Sequence, residues 1–142
     1  MRSRLGGVLV AVACASLLGG GCGGAAVLDA KALAEHSKAV QSLAAEGALL
    51  AEDSAAGRST GIYRRSHSAE LAVAAAAAQK SLAHAKATPK FESKRRELAR
   101  IASKVRTDLE RLRGASKDEQ RALGPALEAA AHESERIGSE LG

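Results

Sequence analysis

Aromatic side chains are nearly missing: the 142 residues include one Phe, one Tyr and no Trp. Single-stranded nucleic acids are held by stacking on such rings, so nucleic acid is a poor candidate partner despite the net charge of +5. Cysteine is as scarce, with Cys14 and Cys22 alone. Two thiols cannot supply a zinc-ligand or haem-attachment pattern. Only two prolines, Pro89 and Pro125, interrupt the chain. The apolar run Leu5–Leu18 falls short of the ~20 residues that span a bilayer. Gly57-Arg58-Ser59-Thr60-Gly61 has the letters of Gly-x-Ser-x-Gly but reads as a short turn between helical segments, not as the strand-to-helix elbow, and there is no phosphate-cradling Gly-Lys-Ser/Thr loop and no His-Glu-x-x-His. Enzymatic chemistry therefore has no motif to stand on, and no catalytic residue is assigned.

What is present begins with the N-terminus. Arg2 and Arg4 precede the uncharged stretch Leu5–Leu18, and Gly19-Gly20-Gly21-Cys22-Gly23-Gly24 follows. A positive tip, a short apolar core and small residues make the layout of a secretory signal. Leu18-Gly19-Gly20-Gly21-Cys22 resembles the lipobox of bacterial lipoproteins. A Leu is usual three residues before the cysteine in that family; here Gly19 holds that place and Leu18 lies one further back. The resemblance implies an acylated Cys22, cleavage just before it, and attachment to the outer side of a cell membrane, with the lipid bilayer as partner. Cys14 is a second cysteine after small residues, but cutting there leaves a shorter apolar stretch. An ordinary signal peptide with an incidental cysteine is the alternative. The expected organisation is residues 1–21 as signal, 22–26 as lipidated cysteine and flexible tether, and 27–142 as the folded domain.

That domain is crowded with Ala, Leu, Glu, Lys and Arg, the strong helix formers. An all-α fold follows. Four segments separate at turn and cap residues. The first runs from about Val27 to Ala56, with Leu33, His36, Val40, Leu43, Gly47 and Leu50 on one face. Gly57 suits its left-handed close. The second runs from about Ile62 to Ala87, with His67, Leu71, Ala74, Ala78, Leu82 and Ala85 inward. Thr88-Pro89 reads as cap and first helical residue of the third, which reaches about Arg113 with Phe91, Leu98, Ile101, Val105, Leu109 and Leu112 inward. Ser116-x-x-Glu119 is a capping box for the fourth, whose stripe is Leu127, Ala130, Ser134, Ile137 and Leu141. Gly124-Pro125 predicts a kink or restart there. Short connections place neighbours antiparallel, giving an up-down four-helix bundle about 35–40 Å long. The alternative is a three-helix bundle with a kinked fourth helix loosely docked. Alanine-rich faces bury little area each, so such a core depends on close helix approach.

Charge is uneven along these segments. Residues 27–56 hold two bases and five acids, 57–87 five and one, 88–113 nine and four, and 114–142 three and six. Opposite charges meeting along helix contacts would fix the packing order. The other reading is a basic face of Arg64, Arg65, Lys94, Arg95, Arg96, Arg100, Lys104 and Arg106, directed at anionic lipid, an acidic envelope polymer or an acidic protein partner.

Histidines give the single hint of site chemistry. His36 and His67 fall on apolar seams, while His84 and His132 lie nearer the flanks. Antiparallel pairing brings His67, Glu70, Glu46 and Asp108 to one level of the bundle, a mixture of imidazole and carboxylate suited to a first-row divalent metal. The Glu-x-x-His pairs of di-metal bundles are absent, and partly exposed histidines bonded to neighbours are the plainer account. The sequence thus supports a membrane-anchored extracytoplasmic lipoprotein with a small helical binding or scaffolding domain. The second reading is a metal-binding or metal-sensing bundle, with no other cofactor implied.

Overall fold

In the computed structural model, which describes residues 27–142, each helix starts and stops on identifiable local chemistry. The signal, Cys22 and tether assignments lie outside the described residues. Helix α1 spans Ala30–Ala55, and the Asp29 side chain accepts the Ala32 amide at 2.8 Å. It closes on Gly57, whose φ of 75° is the left-handed conformation. The Gly57 and Arg58 amides return to Ser54 and Asp53, which satisfies the last carbonyls. Helix α2 spans Gly61–His84, capped by Thr60, whose hydroxyl accepts from the Tyr63 amide at 3.2 Å. Helix α3 spans Glu92–Leu112, and α4 spans Lys117–Ser139. The expected capping box is formed in both directions between Ser116 and Glu119.

Two departures come at the α2–α3 connection. The chain leaves α2 after His84, and Lys86–Ala87 forms a short strand, β2, parallel to β1 at Val27–Leu28. Val27 pairs with Lys86 and Leu28 with Ala87. Two isolated residues carry no period-2 signal, so the sequence could not show this pairing. Thr88-Pro89 does not open α3. A turn closes from the Phe91 amide to the Thr88 carbonyl at 2.8 Å, and α3 starts after Phe91 without a side-chain cap.

The four helices form an antiparallel up-down bundle. Helix α1 packs most closely on α4, and α2 on α3, with α3 also touching both α1 and α4. Its core holds Leu33, Val40, Leu82, Leu98, Ile101, Val105, Leu109, Leu112, Leu127 and Ile137, all essentially without solvent access. The fourth helix is fully part of this core, so the three-helix alternative is set aside. Pro125 sits inside α4, yet the helix continues without a break. It lies on the exposed face, where losing one backbone donor leaves the Arg121 carbonyl without its intrahelical partner and little else.

Close approach of α1 and α4 rests on small residues. A Cβ on Gly138 would lie 2.8 Å from Ser37 Oγ, and one on Gly47 would lie 3.3 Å from Leu127 Cδ1 of α4 and 2.6 Å from Leu109 Cδ2 of α3. This rotates the buried face of α1 from the expected seam. Ser37 and Ala44 are buried, whereas His36 and Leu43 are only partly so. Ser37 donates its hydroxyl proton to the Ser134 carbonyl, so the polar atom is satisfied at the contact. On α2 the expected inward face holds at Leu71 and Leu82 but not at Ala74, which is exposed, and Ser68, Ala72 and Ala75 are buried instead.

Burial of His36 lowers its pKa from the usual value, partly opposed by the neighbouring Glu35. Unfolding therefore raises proton affinity at this ring. Its contribution to stability is complete above about pH 6.5 and falls as pH drops below that value. Glu92, Glu119 and Glu140 are shifted down by their partners, so their contributions fade only in the acid range below the ordinary carboxylate pKa. Urea midpoints measured at pH 7.5 and pH 5.5 should differ less in His36→Gln than in the parent; equal pH sensitivity in both would remove His36 as the cause.

Candidate functional site

Three places in the bundle carry chemistry: the surroundings of His67, the charged flank of α3, and a groove between α1 and α4. His67 projects from the second turn of α2 toward α1. Its Nε2 lies 2.7 Å from Glu46 Oε1, and its Nδ1 lies 3.6 Å from Glu70 Oε2. A carboxylate only accepts, so Nε2 carries a proton and donates it to Glu46. The Tyr63 ring stacks on the imidazole at 5.2 Å between centroids and 21° between planes. Three of the four expected ligands are thus neighbours. Asp108 is not among them. It is buried and held by its own cations, Lys104 Nζ at 2.8 Å and Arg111 Nη1 at 3.7 Å. No group of three or more His, Cys, Asp or Glu is placed to hold a metal ion among the described residues. The arrangement fixes a hydrogen-bonded imidazole on the surface.

The basic flank resolves into pairs. Across the α3–α4 contact Lys94 meets Glu140, Arg100 Nη2 meets Glu133 Oε1 at 2.7 Å, and Arg136 Nη2 meets Glu97 Oε1 at 2.8 Å. Within α3, Arg95 grips Glu92 through two nitrogens at 2.9 and 2.6 Å and donates to the Leu82 carbonyl on α2. Arg96 lies 3.7 Å from the same Glu92, Lys104 pairs with Asp108, and Arg106 with Glu110 at 3.2 Å. Arg64 donates to the Ala115 carbonyl at 2.7 Å. Arg65 is exposed and has no ion-pair partner among the described residues. Most of the expected basic face is therefore spent on helix packing. Each exposed pair contributes little. Opposite charges do meet where α3 touches α4, but the closest packing joins the two acidic helices, α1 and α4, and the two basic ones, α2 and α3, so charge alone does not fix the packing order.

The groove was not legible in the sequence. It runs along the outer seam of α1 and α4 and has a volume of about 560 Å³. Ala45, Ala48 and Ala131 leave it unfilled, Leu49 and Pro125 flank it, and Gln120 closes one end. Leu49 is 63% exposed, unusual for its size. Gln120 is buried, donates its amide to the Ala115 carbonyl at 2.8 Å, and leaves Oε1 without a partner. Small residues at positions off the expected seams were the one available sign. A concave, largely apolar recess of this size suits binding of a small ligand or a partner's side chains. Searches against protein-family models, curated proteins and solved structures each find no match to this chain.

Proposed function

We propose that this chain is an extracytoplasmic lipoprotein, held on a cell membrane by acylated Cys22, whose helical bundle serves as a binding or scaffolding module. The observation that carries this reading is the run Arg2 to Cys22: basic tip, short apolar stretch, small residues, then a thiol. Two structural facts support it. No helix among the described residues is long and apolar enough to cross a membrane, so attachment would fall to the acyl chains. The pairing of β1 at Val27–Leu28 with β2 begins only five positions after Cys22 in the sequence. The α1–α4 groove is the surface best shaped for a ligand or partner.

The reading is tested on protein extracted from membranes with detergent. The N-terminal peptide should begin at Cys22 and carry added acyl mass. An unmodified N-terminus at any other residue would overturn it.

A further inference from the structure

We infer that the end of the bundle carrying the α2–α3 connection lies against the bilayer, with Lys80, Lys86 and Lys90 facing anionic lipid headgroups. This rests on the anchor reading above and deepens it, by naming which surface the anchor presses onto the membrane.

Topology sets the constraint. Pairing of β1 with β2 ties Val27 beside Lys86, so the chain enters the domain at this end. Helix α1 starts here, α2 ends here and α3 starts here. Residues 22 and 27 are five Cα steps apart, which spans at most about 18 Å when fully extended. The bundle is about twice that length along α1, at ~1.5 Å per residue. A bilayer holding Cys22 is therefore within reach of this end, and the far end can approach it only if the bundle lies on its side.

Charge decides between standing and lying. At the tethered end Glu92 is held by Arg95, Glu140 by Lys94 and Arg136, and Glu97 by Arg136, while Glu35 on the second turn of α1 is exposed and makes no ion pair among the described residues. Asp29 is used as the cap of α1. Lys80, Lys86 and Lys90 are exposed and make no ion pair among the described residues. Arg96 is 70% exposed and lies 3.7 Å from a Glu92 that Arg95 already holds. A shallow hollow of about 720 Å³ opens between β2 and the first turn of α3, with His84, Lys86, Ser93 and Arg96 among its lining. By contrast Arg100, Lys104 and Arg106, farther along α3, are paired with Glu133, Asp108 and Glu110. Among the described residues, unpaired cations lie at both ends, with Lys31, Lys80, Lys86 and Lys90 here and Arg65, Arg113 and Lys117 at the other, while those farther along α3 are paired, so the short tether selects this end. Val27, 60% exposed at the same end, adds an apolar contact at headgroup depth. Docked this way, the bundle stands away from the membrane and presents the exposed pair Ile62 and Tyr63 at its far end.

The test couples the chain from Cys22 onward, the exported form on this reading, through its thiol to a maleimide lipid. Vesicles are made of phosphatidylcholine alone or with roughly 30% phosphatidylglycerol, and lysine acetylation is followed by mass spectrometry. Acetylation of Lys80, Lys86 and Lys90 should slow about three- to tenfold on the anionic vesicles, and high salt should restore it. Lys117, at the start of α4 on the opposite end, should react equally on both. Lys86→Glu with Lys90→Glu should abolish the slowing at Lys80. Equal rates on both vesicles, or equal protection of Lys117, would overturn the orientation. Because the tether is made chemically, this outcome is independent of whether cells acylate Cys22, which the Cys22→Ser fractionation decides separately.

Discussion

Leu109→Ala is expected to lower stability by about 3–5 kcal/mol, at the upper end for a buried leucine truncation. Leu109 has no solvent access. Across from it α1 presents Gly47, which has no side chain to move into the space, and a Cβ there would sit 2.6 Å from Leu109 Cδ2 and 3.3 Å from Leu127 Cδ1. The cavity left by the truncation would stay open, because backbone rather than a flexible side chain lines that wall. A domain of this size has a total stability of about 5–15 kcal/mol, so the loss is a large fraction. Gly47→Ala should also destabilise. It gains roughly 1 kcal/mol in helix propensity but forces a methyl against the fully buried Leu109 side chain, which must shift within a packed core. Combined, the two changes should cost less than their sum, because the new methyl occupies part of the vacated volume. Urea unfolding followed by circular dichroism reads all three variants. Strict additivity would mean that these side chains do not share one contact.

How much of this was readable in advance depended on what each helix buries. For α3 and α4 the large residues Leu98, Ile101, Val105, Leu109, Leu112, Leu127 and Ile137 alternate with charges, and every one is buried as their spacing implies. Where the buried surface is alanine, serine or glycine, spacing lost its force. Ala72, Ala74 and Ala75 are chemically alike, yet two are buried and one is exposed. On α1 the seam moved by one residue, from His36 and Leu43 to Ser37 and Ala44, because close approach to α4 selects small side chains over apolar ones. Caps with explicit side-chain chemistry at Asp29, Thr60 and Ser116 read directly. The start of α3 did not, since Phe91 supplies no side-chain acceptor.

The candidate sites follow the same division. Antiparallel register correctly brought Glu46 to His67, because that depends only on the length of the turn around Gly57. Register could not show that Asp108 is claimed by Lys104 and Arg111 on its own helix. The basic run on α3 was visible as composition, but its meaning lay in Glu133 and Glu140, which only the packing of α4 brings near. The α1–α4 groove is a property of missing side-chain volume, and sequence patterns of apolar and polar residues do not record volume.

Cys22→Ser is expected to remove the processed protein from the membrane fraction. Acylation supplies about 0.8 kcal/mol per buried CH₂, and stable attachment takes two such chains or one chain with a basic patch. Without acyl chains, Lys80, Lys86 and Lys90 together contribute on the order of 3 kcal/mol at an anionic surface, too little to hold a dilute protein and removable by salt. Two outcomes agree with the anchor. The variant can appear in the soluble fraction, or it can accumulate uncut, larger by residues 1–21 and retained through its apolar Leu5–Leu18 stretch. Gel mobility separates these, and a high-salt wash separates acyl attachment from lysine contact. Cys14→Ser in parallel should change nothing. If it instead releases the protein, the anchor belongs at Cys14, and the longer tether to Val27 no longer selects which end of the bundle faces the membrane. A Cys22→Ser protein of mature size that stays on salt-washed membranes would exclude lipid attachment at Cys22 and would leave the bundle itself as the membrane-binding element.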